Sequence, residues 1–334
     1  TITAGELNTH ALGQQLTVAG TITVNSSSNT ANLSINDSTV SCAKLIVESA
    51  DTITAAHSSN ALTVTGTGIG NARSIDFTGV ISGTLDIITT HSGTREDDLS
   101  ASSGVVNHLT VNHASAVMRM NASYTLGNLT ITAGTFSTAD AGGNSKALTV
   151  TGYSHVGDGS AAADTSTLTL NASTCSFGTG KTDAEALWIK RGGTLVGGSG
   201  NWTAGSVVAD NHANCKFTLT SGTITVNGHS ADSTRPLILG GTSTHTAAHG
   251  GGTIDITYAS AYNLANYATT SLNNITLTGN TTATITSPSI VMAGNLTITA
   301  STTLTTGADK ALTVTKATDV AGTLTLNGST CSFG

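Results

Sequence analysis

Residues 127–178 read GNLTITAGTFSTADAGGNSKALTVTGYSHVGDGSAAADTSTLTLNASTCSFG, and residues 294–334 read GNLTITASTTLTTGADKALTVTKATDVAGTLTLNGSTCSFG. The phrases GNLTIT, KALTVT, TLTLN and STCSFG recur in the same order, and the second stretch is shorter by 11 residues (52 − 41). The missing residues fall in Gly/Ala/Ser/Asp segments between the shared phrases. Segments that change length without disturbing their neighbours are surface loops, and the shared phrases are the elements they connect. Self-similarity of this kind marks a repeat architecture.

Within the phrases, Leu129 and Ile131, or Leu148 and Val150, take one parity, while Thr130 and Thr132, or Thr149 and Thr151, take the other. A period of two predicts β-strands with small apolar groups on one face and β-branched hydroxyls on the other. The Thr-apolar-Thr triplet recurs at 21–23, 52–54, 63–65, 149–151, 167–169, 223–225, 276–278, 297–299, 313–315 and 323–325. Gly or Asn follows many of these strands, as at Gly152 and Asn227-Gly228, and supplies the corners a coiling chain needs. Only Pro236 and Pro288 interrupt the pattern.

Short strands, small inward residues and frequent corners predict an all-β fold: a parallel β-helix, or β-solenoid, of short stacked coils with variable lateral loops. The expectation is one elongated solenoid over residues 1–334, with the internal repeat of 127–178 in 294–334. At about 20–25 residues per coil and about 4.8 Å per step, this gives roughly 13 to 17 coils and an axis of about 60–80 Å. A string of immunoglobulin-like sandwiches is the rival. It is disfavoured because such domains bury aromatic anchors, and this chain has 2 Trp, 5 Tyr and 5 Phe.

Composition narrows the function. Charged residues make up 9% of the 334 residues, against roughly 25% in an average soluble protein, so Thr, Ser, Asn and Gly must supply the hydration. A formal charge of −7 with 12 scattered Lys and Arg argues against a nucleic-acid partner. No apolar run reaches the roughly 18 residues of a membrane span, and the first thirty residues lack the pattern of a signal peptide. The chain opens inside a strand-like Thr1-Ile2-Thr3 and closes inside a recurring motif, which reads as a piece of a longer protein. Cys42, Cys175, Cys215 and Cys331 lie too far apart for a metal motif or a dense disulfide framework and are expected to fill the core.

The LTVTG, GNLTIT and GTLTLN phrases resemble those of the β-strand-repeat proteins found among bacterial surface adhesins and phage tail fibres or tailspikes. The resemblance covers nearly the whole chain and implies an extracellular, cell-surface or virion-surface location. It also implies self-association into trimers or filaments, and it carries over no catalytic residue. Open ladder edges at the ends of a coil stack favour such association.

Functional groups gather at 181–216, where Lys181, Asp183, Glu185, Trp188, Lys190, Arg191, Trp202, Asp210, His212 and Cys215 stand in an otherwise uncharged chain. Paired carboxylates and Trp platforms suit a glycan, so Trp188, Trp202, Asp183, Glu185 and Arg191 are candidate glycan or subunit contacts. The parity of Leu187 and Ile189 sets Asp183 and Glu185 in the turn before the strand rather than in a working acid–base pair. Tyr258, Tyr262 and Tyr267 form a second candidate set, in a segment whose spacing suggests a helical turn or a lateral loop. The run Glu96-Asp97-Asp98 after Arg95 lacks the ligand spacing of a calcium loop and is expected to be a solvated loop. His245 and His249 lie between Gly-Gly pairs, in a loop rather than a metal site. No catalytic motif, metal site or cofactor is predicted. The leading expectation is a structural or adhesive fibre and no enzyme. Polysaccharide binding or cleavage is one alternative, and ice binding through Thr rows is another.

Overall fold

The structure, a computed structural model, describes the chain apart from residues 10–14, 27–30, 37, 56–60, 70–72, 161–165, 183–184, 211–213, 231–234, 240–246, 249–250 and 267–270, with the backbone alone at 247–248. The described residues form no helix; parallel strands stack as a β-solenoid of about 12 turns. Two compact units divide the chain, Thr1–Val150 and Thr151–Gly334.

In the first unit one ladder runs through Gly5–Asn8, Ala31–Ile35, Thr52–Ala55 and Val80–Gly83. A second runs through Gln15–Val24, Thr39–Val47, Ala61–Val64, Leu85–Thr89, Val106–Met120 and Tyr124–Ser137. The two long strands Gln15–Val24 and Thr39–Val47 bend where their register shifts after Val18, so that Thr39–Val47 also reaches Ile75–Phe77 on another side of the coil. Alternation does the rest. Val40, Leu62, Ile87, Leu109 and Leu129 follow one another inward up the stack, each fully buried. Outward stand Thr17, Ser41, Thr63, Ile88, Thr110 and Thr130. Each buried Leu or Ile contributes roughly 1.5–3 kcal/mol, and its neighbours above and below are aliphatic groups of similar size.

The second unit repeats the scheme. Trp202, Ile224, Ile254, Ile275 and Leu296 form one interior column, and Ala204, Val226, Ile256, Leu277 and Ile298 its companion. Side-chain hydrogen bonds between adjacent turns join residues 20, 21, 22 or 23 positions apart, which is the bare length of a turn. Ser154 pairs with Leu187 and Val207 with Leu237, so these turns take 33 and 30 residues (187 − 154 and 237 − 207). Such loops explain why the stack has fewer turns than the 13 to 17 expected.

Conserved phrases acquire specific roles. The last Thr of each LTVT-type strand donates its hydroxyl to a carbonyl in the turn below: Thr65 to Cys42, Thr132 to Val111, Thr278 to Ile256 and Thr299 to Leu277. At the GN corner the Asn274 amide oxygen accepts from the Asn295 N–H at 2.9 Å, and the Asn295 oxygen accepts from the Ala317 N–H at 3.2 Å. Backbone groups that leave the ladder at a corner are thus satisfied from the neighbouring turn.

Close stacking also dictates some glycines. Gly198 has φ +68°, and a Cβ there would lie 1.6 Å from the Asn171 carbonyl oxygen, whereas Gly159, at φ +82°, has nothing within 4 Å. Gly159→Ala is expected to cost about 1 kcal/mol of backbone strain. Gly198→Ala adds a clash with main chain and should cost at least about 3 kcal/mol in urea unfolding. Equal losses in the two variants would contradict this account of turn spacing.

Candidate functional site

Two places in the described structure concentrate chemistry. The first is the outer wall of the second unit around strand Leu187–Ile189. Leu187 and Ile189 point inward, as their parity predicts, and Trp188 faces out, half-buried, in register with His155 and Val208. The Trp188 Nε1–H donates to Asp210 Oδ1 at 2.6 Å, and the Arg191 N–H donates to Asp210 Oδ2 at 3.0 Å. Lys190 Nζ sits 4.5 Å above the indole, His155 meets its edge at 5.3 Å, and Tyr153 stacks on His155 at 4.3 Å. The result is a strip of rings with a fixed carboxylate.

The strip differs from a cleaving centre in two ways. Both Asp210 oxygens are engaged, and an ammonium already occupies one face of the indole. Glu185 lies half-buried just ahead of the strand, while Asp183 and His212 fall outside the described residues. Trp202 is not part of this wall. It is 2% exposed, inside the coil, edge-on to Phe177 at 6.1 Å, so it offers no platform to a sugar. Sequence proximity grouped the two tryptophans, and opposite parity in their strands separates them.

Tyr262 is corrected in the same way. It is 3% exposed in strand Tyr262–Asn266, not in a lateral loop, and burial pushes its hydroxyl pKa above the usual range. Tyr258 is half-buried at the surface, 5.2 Å from the His229 ring and 6.3 Å from Tyr262. Tyr267, His245 and His249 lie outside the described residues. The four cysteines are free, with Cys42, Cys175 and Cys215 buried; burial pushes the Cys42 and Cys215 thiols up to about 12.

The second place was not anticipated. Arg95, Glu96, Asp97 and Asp98 are no solvated loop: Gly93–Asp97 is a strand, with Arg95 and Asp97 turned inward and Asp98 buried just beyond it. Asp97 Oδ1 accepts from the Ser74 N–H, the Ser74 hydroxyl and the Ile75 N–H at 2.7–2.8 Å. Burial raises the Asp97 pKa, and those hydrogen bonds and Arg95 oppose the rise. Asp98 accepts from Asn121 Nδ2 at 3.0 Å and lies 3.6 Å from Arg73. His91, fully buried in the same turn, holds Thr89 Oγ1 at 3.0 Å through Nδ1, and its Nε2 has no hydrogen-bond partner.

Above this polar interior opens a cleft of about 560 Å³, lined by Thr65, Gly66, Thr67, Gly68, Thr90, Ser92, Gly93, Arg95 and His113. Its walls are the corners of successive turns. His113 stands at the rim because the register between Val106–Met120 and Tyr124–Ser137 shifts between Val111 and Val117, which throws residues 112–115 out to solvent.

A third surface feature is geometric. In strands Thr282–Ile285, Thr303–Thr306 and Thr323–Leu326 the registers align Thr282, Thr303 and Thr323 in one column and Thr284, Thr305 and Thr325 in the next. The columns repeat about every 4.8 Å along the stack and lie about 6.6 Å apart. No family model, characterised protein or solved structure matches the chain.

The polar interior has a pH signature. Burial, then the charges of Arg95 and His113, push the His91 pKa down to about 4. An unfolded His takes its proton near 6.5, whereas folded His91 refuses it until about 4. Stability from this residue is therefore full above about pH 6.5 and declines as pH falls towards 4, by roughly 3 kcal/mol at most. Urea unfolding at pH 7.5 and 4.5 should show a smaller acid loss for His91→Gln than for the parent. Identical losses would mean that His91 is not held neutral.

Proposed function

We propose that this chain is a structural or adhesive fibre protein that works outside a cell or on a virus particle and self-associates. The observation that supports this most is where length variation sits. Turns of bare length and turns of 30 or 33 residues share the same interior columns, because insertions leave the ladder only at its corners. A stack built this way tolerates loop change on its surface while its main-chain ladders stay unbroken, which suits a rod that must span distance and vary what it displays. Its outer rows of Thr, Ser and Asn hydrate the wall without charge. Self-association follows from the chemistry of a coil edge, whose unpaired N–H and C=O groups accept another strand in register.

Electron microscopy of the native material tests the proposal. The expected image is a filament, or a fibre on a particle, with repeating subunit contacts. Compact monomers without filament, fibre or surface association would overturn it.

Ice binding is a second reading with one specific observation in its favour. Uneven triplet spacing in the sequence argued against a flat row, yet the loops absorb the irregularity over three turns and leave the two Thr columns in register. The six hydroxyls have no intramolecular hydrogen bond among the described residues, and they present a charge-free lattice on the scale of ordered water. Thermal hysteresis that disappears in Thr303→Lys would support it. An absence of hysteresis in the parent protein removes it.

A further inference from the structure

We propose that the cleft of the first unit binds a small hydroxylated carboxylate of the sugar-acid class. This stands independently of the fibre reading, since it rests on the cleft alone. Its volume of about 560 Å³ lies within the roughly 300–1,000 Å³ of small-molecule sites. What lines it is selective. Thr65, Thr67, Thr90 and Ser92 bring hydroxyl groups, three glycines bring open backbone, and the charged or titratable side chains are Arg95 and His113. Neither an apolar side chain nor a carboxylate is among the lining residues.

Arg95 is the anchor. Its guanidinium enters from an inward-facing strand position and is 5% exposed. Nη2 is braced by the Gly66 carbonyl at 3.3 Å and the Ser92 carbonyl at 3.5 Å, which belong to two different turns. A guanidinium held by its surroundings loses little entropy when it meets an anion, and its planar fork matches a carboxylate. The nearest buried acid on its own strand, Asp97, is turned to Ser74 and Ile75 rather than into the cleft.

The hydroxyl groups are ordered as well. Thr65 Oγ1 lies 3.4 Å from the Cys42 carbonyl, and Thr67 Oγ1 lies 3.1 Å from Thr65 Oγ1, so the rim carries a short chain of hydroxyls beside the cation. Gly68 and Gly93, at φ +75° and +77°, would place a Cβ in open space, so their lack of side chains keeps the mouth wide. An anion with several hydroxyls fits this combination. A neutral sugar leaves the Arg95 charge unmatched, and a bare anion leaves the hydroxyl rim unused.

The test is calorimetric titration of the full chain with D-glucuronate, with D-glucose and acetate as comparisons. Glucuronate is expected to bind saturably with a Kd in the millimolar range or tighter, and both comparisons at least about tenfold more weakly. Arg95→Gln should abolish binding, but it disturbs a buried group. Thr67→Trp, at an exposed position on the rim, therefore serves as the second variant; it fills the cleft and should weaken glucuronate at least about tenfold with an unchanged unfolding midpoint. Three results each overturn the proposal: no glucuronate binding, binding indifferent to Thr67→Trp, or glucose or acetate binding as tightly as glucuronate.

Discussion

Parallel pairing of each turn with the next, in register, is the constraint on which the rest of this molecule depends. A one-residue slip would turn every inward Leu, Ile and Val outward and every Thr inward. Three interactions hold the register in each unit. Main-chain ladders set the step, like-sized aliphatic side chains fill the columns, and corner hydroxyls and amides tie each turn to its neighbour. The pattern Leu-Thr-Val-Thr encodes all three: its apolar residues fill a column, its first Thr faces solvent, and its last Thr caps the carbonyl below, as Thr65 does for Cys42.

Against this regular background, the turn carrying Thr89, His91, Arg95 and Asp97 is an exception. Four polar side chains occupy positions that neighbouring turns give to aliphatic residues. Burying them costs stability unless partners compensate, and the Ser74 and Ile75 donors to Asp97 and the carbonyls around Arg95 do so in part. His91 Nε2 and Asp97 Oδ2 remain without hydrogen bonds. Departures from local consistency in an otherwise consistent fold are expected at sites of function, and this one lies beneath the cleft.

Much of the fold was legible because its signals are local. Two-residue alternation and repeated phrases give strand, face and loop without tertiary information, and the parity of Leu187, Trp188 and Ile189 was read correctly from three letters. The sites were less legible. Arg-Glu-Asp-Asp looks like a hydrated loop in any window, and only the ladder with Val106–Met120 reveals that Arg95 and Asp97 take inward positions. Trp202 and Tyr262 misled in the other direction: large aromatic side chains suggested recognition, while their strand parity put them in the core. The partners that define the cleft come from three turns, and separations of more than twenty residues leave no trace in a local pattern.

The free thiols have a mechanical consequence. No covalent bridge joins one described turn to another, so tension applied to the chain is carried by ladder hydrogen bonds alone. Such a stack yields by peeling, one turn at a time from an end, and a bare turn of about 21 residues releases roughly 70 Å of chain. The looped turns release more slack for the same number of broken bonds. Loop insertions therefore act as reserves of length, and a rod built from these turns lengthens in unequal steps under load before its remaining coils are disturbed.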